Sequence, residues 1–295
     1  MFYLFFLISL SLSQSLIAKA ETLPLSSKTY VGVLVDDWLD KGERPINELV
    51  GKRVVKIAFV SNGTDWEKYE NADEKRRWTI AYDGKNIGAI ETTPRQPTGS
   101  KRAEGTFDIA SSNIPERGKP SQDFSGWSGG TSRRPLIVIS EPNVEDPESW
   151  RPTKLSARQK AMVWRKLPKP QQPPLSMCGK KGNGTDRPGD PFPESSLKIS
   201  KAYRSVAGSV IVGASYRWPY SDCDYAPFEL QTHWFRIKGA EVIEFGTGLR
   251  AVDAGDYDKD GHSEFIFFKS GYNRDGYMLY SNDFKDSVEI NWSYH

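Results

Sequence analysis

Residues 232–281 read THWFRIKGAEVIEFGTGLRAVDAGDYDKDGHSEFIFFKSGYNRDGYMLYS. Two alternating runs, Thr232–Ile237 and Glu241–Phe245, flank Lys238-Gly239, which reads as a hairpin turn. Two more strand-like runs, Glu264–Lys269 and Gly276–Ser281, follow an acidic segment. On the first run His233 shares a face with Phe235 and Ile237, opposite Arg236 and Lys238, so a hydrogen-bonded core histidine is expected. Short runs of this kind bounded by Gly, Pro, Asn and Asp predict antiparallel β structure.

The same texture extends outward in both directions. Tyr30–Val35, Arg53–Val60, Trp78–Tyr82, Ile87–Thr92 and Leu136–Ser140 read as strands, with Asp83-Gly84 as a hairpin turn. Leu197–Tyr203, Ser209–Tyr216 and Ser287–Trp292 continue the pattern. One helix is predicted over 156–167, capped by Ser156, with a weak apolar face of Leu155, Met162, Val163 and Leu167, and stopped by Pro168. Thr93–Arg134 and Lys169–Ser195, rich in turn-forming residues, read as irregular. The expected organisation is a signal peptide at 1–20, an N-terminal β-rich region at 21–150, a helix and irregular linker at 151–195, and a C-terminal β region at 196–295.

The acidic segment carries the most specific chemistry. Asp256, Asp258 and Asp260 alternate, so their carboxylates can converge. Gly261 permits a sharp turn that lets His262 offer its carbonyl, and Glu264 adds another oxygen. Hard oxygen ligands in this number suit Ca²⁺ better than Mg²⁺ or Zn²⁺. The first six positions match an EF-hand loop, but the twelfth is Phe267, and an aromatic strand follows in place of a helix. The other reading is a solvated Asp-rich turn that binds nothing.

The segment resembles the FG-GAP repeat of integrin-α-type β-propellers. Phe245-Gly246 corresponds to the Phe-Gly of that family, Gly255-Asp256 opens the loop, and Glu264 occupies its ninth position; the Gly-Ala-Pro element is replaced by Lys269-Ser270-Gly271. The resemblance implies a propeller-blade-like unit over about Thr232–Ser281. It also implies calcium ligation by the side chains of Asp256, Asp258, Asp260 and Glu264 with the His262 carbonyl. A second acidic loop is not found, and a single blade needs other strands packed on it.

Met1–Ala20 reads as a secretory signal: an apolar run over Phe2–Leu10, then Ala18-Lys19-Ala20 before Glu21. An uncleaved anchor is the alternative, although the segment is short and interrupted by Ser13, Gln14 and Ser15. Cys178 and Cys223 suit one disulfide in a periplasmic or extracellular protein, the alternative being two free thiols. With 40 Lys and Arg against 38 Asp and Glu, a nucleic-acid partner is not expected.

Other candidates are weaker. Gly126-Trp127-Ser128-Gly129-Gly130 matches Gly-x-Ser-x-Gly but lacks the strand before and helix after that a nucleophile elbow needs. The basic cluster Arg151–Lys169 reads as a solvated helix face, or as a contact for an anionic membrane surface. The acids Asp36, Asp37 and Asp40, with Asp222, Asp224 and Glu229, could serve a glycosidase, yet acids near turns are normally just solvated. Without a catalytic set, the expected function is an exported calcium-binding module with a structural or binding role. A carbohydrate-active hydrolase and a peripheral membrane binder are the alternatives.

Overall fold

The run Glu264-Phe265-Ile266-Phe267-Phe268 is apolar at every position after its first, a pattern that suits a strand buried on both faces. In the computed structural model it lies in the middle layer of three packed antiparallel sheets. The structure describes residues 28–36, 53–62, 65–69, 76–94, 106–109, 114–115, 118–126, 132–169, 191–217 and 231–293.

The first sheet holds β1 (Thr29–Asp36), β2 (Arg53–Ser61), β3 (Trp66–Lys68), β4 (Arg76–Tyr82), β5 (Lys85–Pro94), β6 (Thr106–Ile109) and β7 (Leu136–Ile139). Its order is β1-β7-β4-β5-β6-β2-β3, and β2 also pairs with β1, so the pairings return on themselves. Leu34, Val55, Trp78, Ile80, Ile90, Leu136 and Val138 form a core within this sheet. Alternate residues such as Val31, Val33, Ile137 and Ile139 turn the other way. All four residues of β7 are therefore buried.

The second sheet has the order β12-β11-β10-β9-β8. Its strands are β8 (Arg151–Pro152), β9 (Leu197–Arg204), β10 (Val210–Tyr216), β11 (His233–Lys238) and β12 (Glu241–Thr247). Helix α1 (Ala157–Lys166) begins at a capping box: Gln159 N–H donates to Ser156 Oγ, and the Gln159 side chain accepts from Ser156 N–H. Val163, Leu167 and Leu155 seat it on Val210, Val212 and Phe235. The cationic Arg151, Lys154, Arg158, Lys160, Arg165, Lys166 and Lys169 are exposed.

The third sheet is the meander β13-β14-β15-β16: Leu249–Gly255, Glu264–Gly271, Arg274–Ser281 and Asp286–Ser293. Phe265 and Phe267 face the second sheet with Trp234, Leu249 and Tyr280. Ile266 and Phe268 face the first sheet with Val252, Tyr277 and Leu279. The protein is thus mainly β and antiparallel, with one short helix, and no propeller forms among the described residues.

The stretch expected to form one blade is divided. Thr232–Thr247 supplies β11 and β12 of the second sheet, whereas β13 to β15 belong to the third. Phe245-Gly246 has a packing role at this boundary. Phe245 touches Phe267, Tyr280 and Phe284, and Tyr280 Oη donates to its carbonyl at 2.8 Å. A Cβ on Gly246 would lie 2.4 Å from Leu249 and 2.8 Å from Tyr280 Oη, so the close approach of β12 needs glycine.

His233 is buried, with Nδ1 2.7 Å from Glu244 Oε1 and its ring stacked on Phe235, as the alternation implied. The turn expected at Lys238-Gly239 falls one residue later, at Gly239-Ala240, because β11 runs through Lys238.

Phe267 is fully buried against Trp234, Phe245 and Tyr280. Phe267→Ala is expected to lower unfolding free energy by about 3–5 kcal/mol in urea titration. Val206→Ala, at a 72% exposed position, should stay within about 0.5 kcal/mol.

Candidate metal centre

The loop Asp256–Ser263 joins β13 to β14 at one end of the central sheet. Two residues take left-handed conformations to close it: Lys259 at φ 65° and Gly261 at φ 89°. Three side chains converge as their alternation predicts. One carboxylate oxygen each of Asp256, Asp258 and Asp260 lies within 4.8 Å of the others, a cluster that could hold a metal ion.

Backbone donors occupy part of this cluster. Asp256 Oδ2 accepts from Gly261 N–H at 3.0 Å, and Asp260 Oδ1 accepts from His262 N–H at 2.7 Å. Asp258 Oδ2 accepts from Ser61 Oγ at 3.3 Å. Asp256 Oδ1 and Asp258 Oδ1 are buried and have no hydrogen-bond partner among the described residues. Buried carboxylate oxygens are ordinarily satisfied, so this pair fits a cation bound between them.

Glu264 opens β14 and is 1% exposed. Its Oε2 accepts from Tyr257 N–H at 2.8 Å. Burial, then the charge of Asp258, push its pKa up to about 10, against the opposing Tyr257 N–H. Burial and then Asp260 raise Asp258 to about 6, and burial raises Asp256. Without a cation the acids resist carrying charge together. The one cationic side chain within the loop points elsewhere, as Lys259 Nζ pairs with Glu141 Oε2 at 2.9 Å.

The loop is also stitched to the first half of the chain. Asp256 N–H donates to Glu145 O, forming an isolated bridge between those residues. Ser263 donates through Oγ to Asp146 Oδ1 and through N–H to Glu148 Oε2. With the Ser61 contact, residues 61 and 141–148 form a bed on which the loop lies.

A second cluster of ionisable groups sits nearby. Arg134 donates from Nε to Val252 O, pairs with Asp253 Oδ1 at 3.1 Å and with Asp83 Oδ1 at 2.8 Å, and lies 4.0 Å from the Tyr82 ring centre. Burial opposes the charge of Arg134, but Asp253 and Asp83 outweigh it and its pKa is raised. Arg134, Asp83, Val252 and Asp253 border a cavity of about 670 Å³ where the three sheets meet. Neither Arg134 nor Asp253 is marked by any local motif.

Other candidates lie largely outside the described residues. Cys178, Cys223, Trp127–Gly130, Asp37, Asp40, Asp222, Asp224 and Glu229 all fall there, as does the 1–20 segment. No helix among the described residues is long and apolar enough to cross a membrane.

Asp253 gives a pH prediction. Its side chain is 3% exposed, and burial, partly offset by Arg134, raises its pKa to about 6 from 3.8. Between these values the folded state holds more protons than the unfolded, so Asp253 makes stability fall as pH rises from about 4 to about 6. Two pH units correspond to at most about 3 kcal/mol. Subtracting the Asp253→Asn stability profile from the wild-type profile should leave a falling limb across that window. A flat difference would show that Asp253 does not titrate there.

No protein-family model, curated protein or solved structure matches this chain.

Proposed function

We propose that this chain is an exported, calcium-binding β protein acting as a structural or binding module, whose acidic loop pins the central sheet to the first. The observation that carries the reading is the pair of buried, unpartnered oxygens, Asp256 Oδ1 and Asp258 Oδ1, within the three-aspartate cluster. The donor set is all oxygen, which favours a hard cation. The loop draws its ligands from flexible turn backbone as well as carboxylates, which suits the adaptable shell of Ca²⁺ better than the strict octahedron of Mg²⁺. In this reading Asp256, Asp258, Asp260 and Glu264 ligate through their side chains and His262 through its carbonyl.

The resemblance to FG-GAP repeats supports the same assignment, since the acidic loop connects adjacent antiparallel strands and Glu264 starts the second. Export is supported by the signal-like Met1–Ala20. The ion's role is mechanical. It neutralises carboxylates that otherwise repel, and it holds Asp258 where Ser61 of β2 reaches it. Extracellular sites bind calcium at about 10⁻⁴–10⁻³ M, which at about 1 mM calcium contributes about 0.4–1.4 kcal/mol.

Thermal melts in 1 mM calcium and in excess chelator test the proposal. A calcium-dependent rise of about 1–5 °C is expected, absent in Asp258→Ala. Equal melting in calcium and chelator would sink it.

A second expectation follows from Glu264. Held neutral at pH 7 by its raised pKa, it must lose its proton to ligate the ion. Calcium affinity should therefore rise by up to about tenfold per pH unit between pH 6 and 8. Calorimetry in buffers of different ionisation heat should detect about one proton released per ion, and Glu264→Gln should abolish that release.

A further inference from the structure

The cavity at the meeting of the three sheets contains no residue of the acidic loop, although Glu145 and Asp146, which bond the loop, are part of its lining. Its wall includes Trp150 before β8, Tyr203 of β9, Phe265 of β14, and Asp253 of β13, with Lys85 at its rim. At about 670 Å³ it falls within the range of about 300–1,000 Å³ of sites that enclose small molecules. Aromatic walls with a few convergent polar groups are the usual composition of such sites.

Its electrostatics narrow the ligand. The lining carries three cationic and four anionic side chains, close to balance. The charge of Arg134, the most buried cation, is already committed to Asp83 and Asp253. A fully charged ligand would have to compete with those ion pairs, and would gain no net field from the lining. A hydroxyl group suits the site better, because it donates to carboxylates and accepts from ammonium or phenol groups.

Tyr203 supplies the unspent polar group. Its hydroxyl has no hydrogen-bond partner among the described residues and is not sealed from solvent. It lines the same cavity as Arg134, Asp83 and Asp253. Lys85 is exposed and forms no ion pair among the described residues. One uncommitted acceptor-donor and one uncommitted donor thus accompany the Trp150 indole, which Phe265 supports from behind at 4.9 Å between ring centres.

We propose that this inter-sheet cavity binds a neutral saccharide of one or two rings. Tyr203 and Lys85 bond its hydroxyls, and the half-buried Trp150, backed by Phe265, packs on an apolar face. The site needs no calcium ligand, so it stands apart from the metal reading.

Saturation-transfer NMR on the purified full-length protein tests this with glucose, N-acetylglucosamine and cellobiose as probes, against glucose 6-phosphate and glucosamine as charged counterparts. At least one neutral sugar is expected to bind with a millimolar or tighter dissociation constant, more tightly than its charged counterpart. Tyr203→Phe, which removes one oxygen and keeps the ring, should weaken it at least fivefold at unchanged melting temperature. Lys85→Met, at an exposed position, is the second variant and should also weaken binding, by at least twofold. Failure of all three neutral sugars to bind overturns the proposal. So does binding unaffected by either variant, or tighter binding of a charged sugar.

Discussion

Arg134 fixes how the two halves of the chain meet. Its guanidinium enters from the segment before β7 and spends its donors on groups far away in sequence: Val252 and Asp253 on β13, and Asp83 at the β4–β5 turn. The geometry that receives it is a β-bulge. Ala251 pairs with Phe267 and Asp253 with Ile266, so Val252 has no residue opposite it in the β13–β14 ladder. The freed Val252 carbonyl takes the Arg134 Nε–H, and the Val252 side chain enters the core shared with the first sheet. A buried ion pair adds little net stability by itself, but losing one partner strands the other at a cost of about 3–5 kcal/mol. Position 134 is therefore constrained from both sides of the junction.

The central sheet is the reason for this dependence. It has no solvent face over most of β14, because Phe265 and Phe267 meet one neighbouring sheet and Ile266 and Phe268 the other. Hydrophobic contact of this kind does not choose a register, since aromatic rings pack in several arrangements. The directional contacts choose it: Arg134 at one place, and the Glu145–Asp256 bridge with the Ser61 and Ser263 bonds at the other. Arg134 holds the middle of β13, at Val252 and Asp253, and the other anchor begins just past its C-terminal end, at Asp256 where the loop starts.

Local patterns made much of this legible. Alternation marked twelve of the strands, Ser156 and Pro168 bracketed the helix, and the Asp-x-Asp-x-Asp-Gly spacing brought three carboxylates together as expected. What stayed hidden was non-local. β13 reads Leu-Arg-Ala-Val-Asp-Ala-Gly, with an acid and a glycine where a strand pattern wants apolar residues, and only Arg134 explains an inward Asp253. β3, β6 and β8 are two to four residues long, too short for periodicity, and owe their existence to neighbouring strands. The apparent blade at 232–281 was divided for the same reason: hairpins are readable in sequence, but the sheet each hairpin joins is settled by packing.

Asp253 and the loop acids pose the same physical problem and receive different solutions. A buried carboxylate must be neutralised or must take up a proton. For Asp253 the chain provides its own cation from position 134, so where that carboxylate is charged, above its raised pKa of about 6, the anchor needs no ion from solution. For Asp256, Asp258 and Asp260 no cationic side chain pairs among the described residues, and Lys259 is turned to Glu141. Neutralisation there is left to protons or to an ion from solution. If the proposed calcium fills that role, one anchor of the central sheet is intrinsic and the other is set by the medium. The junction would then be firm where calcium is plentiful and looser where it is scarce, with the Arg134 anchor preserving the register of β13 in either case.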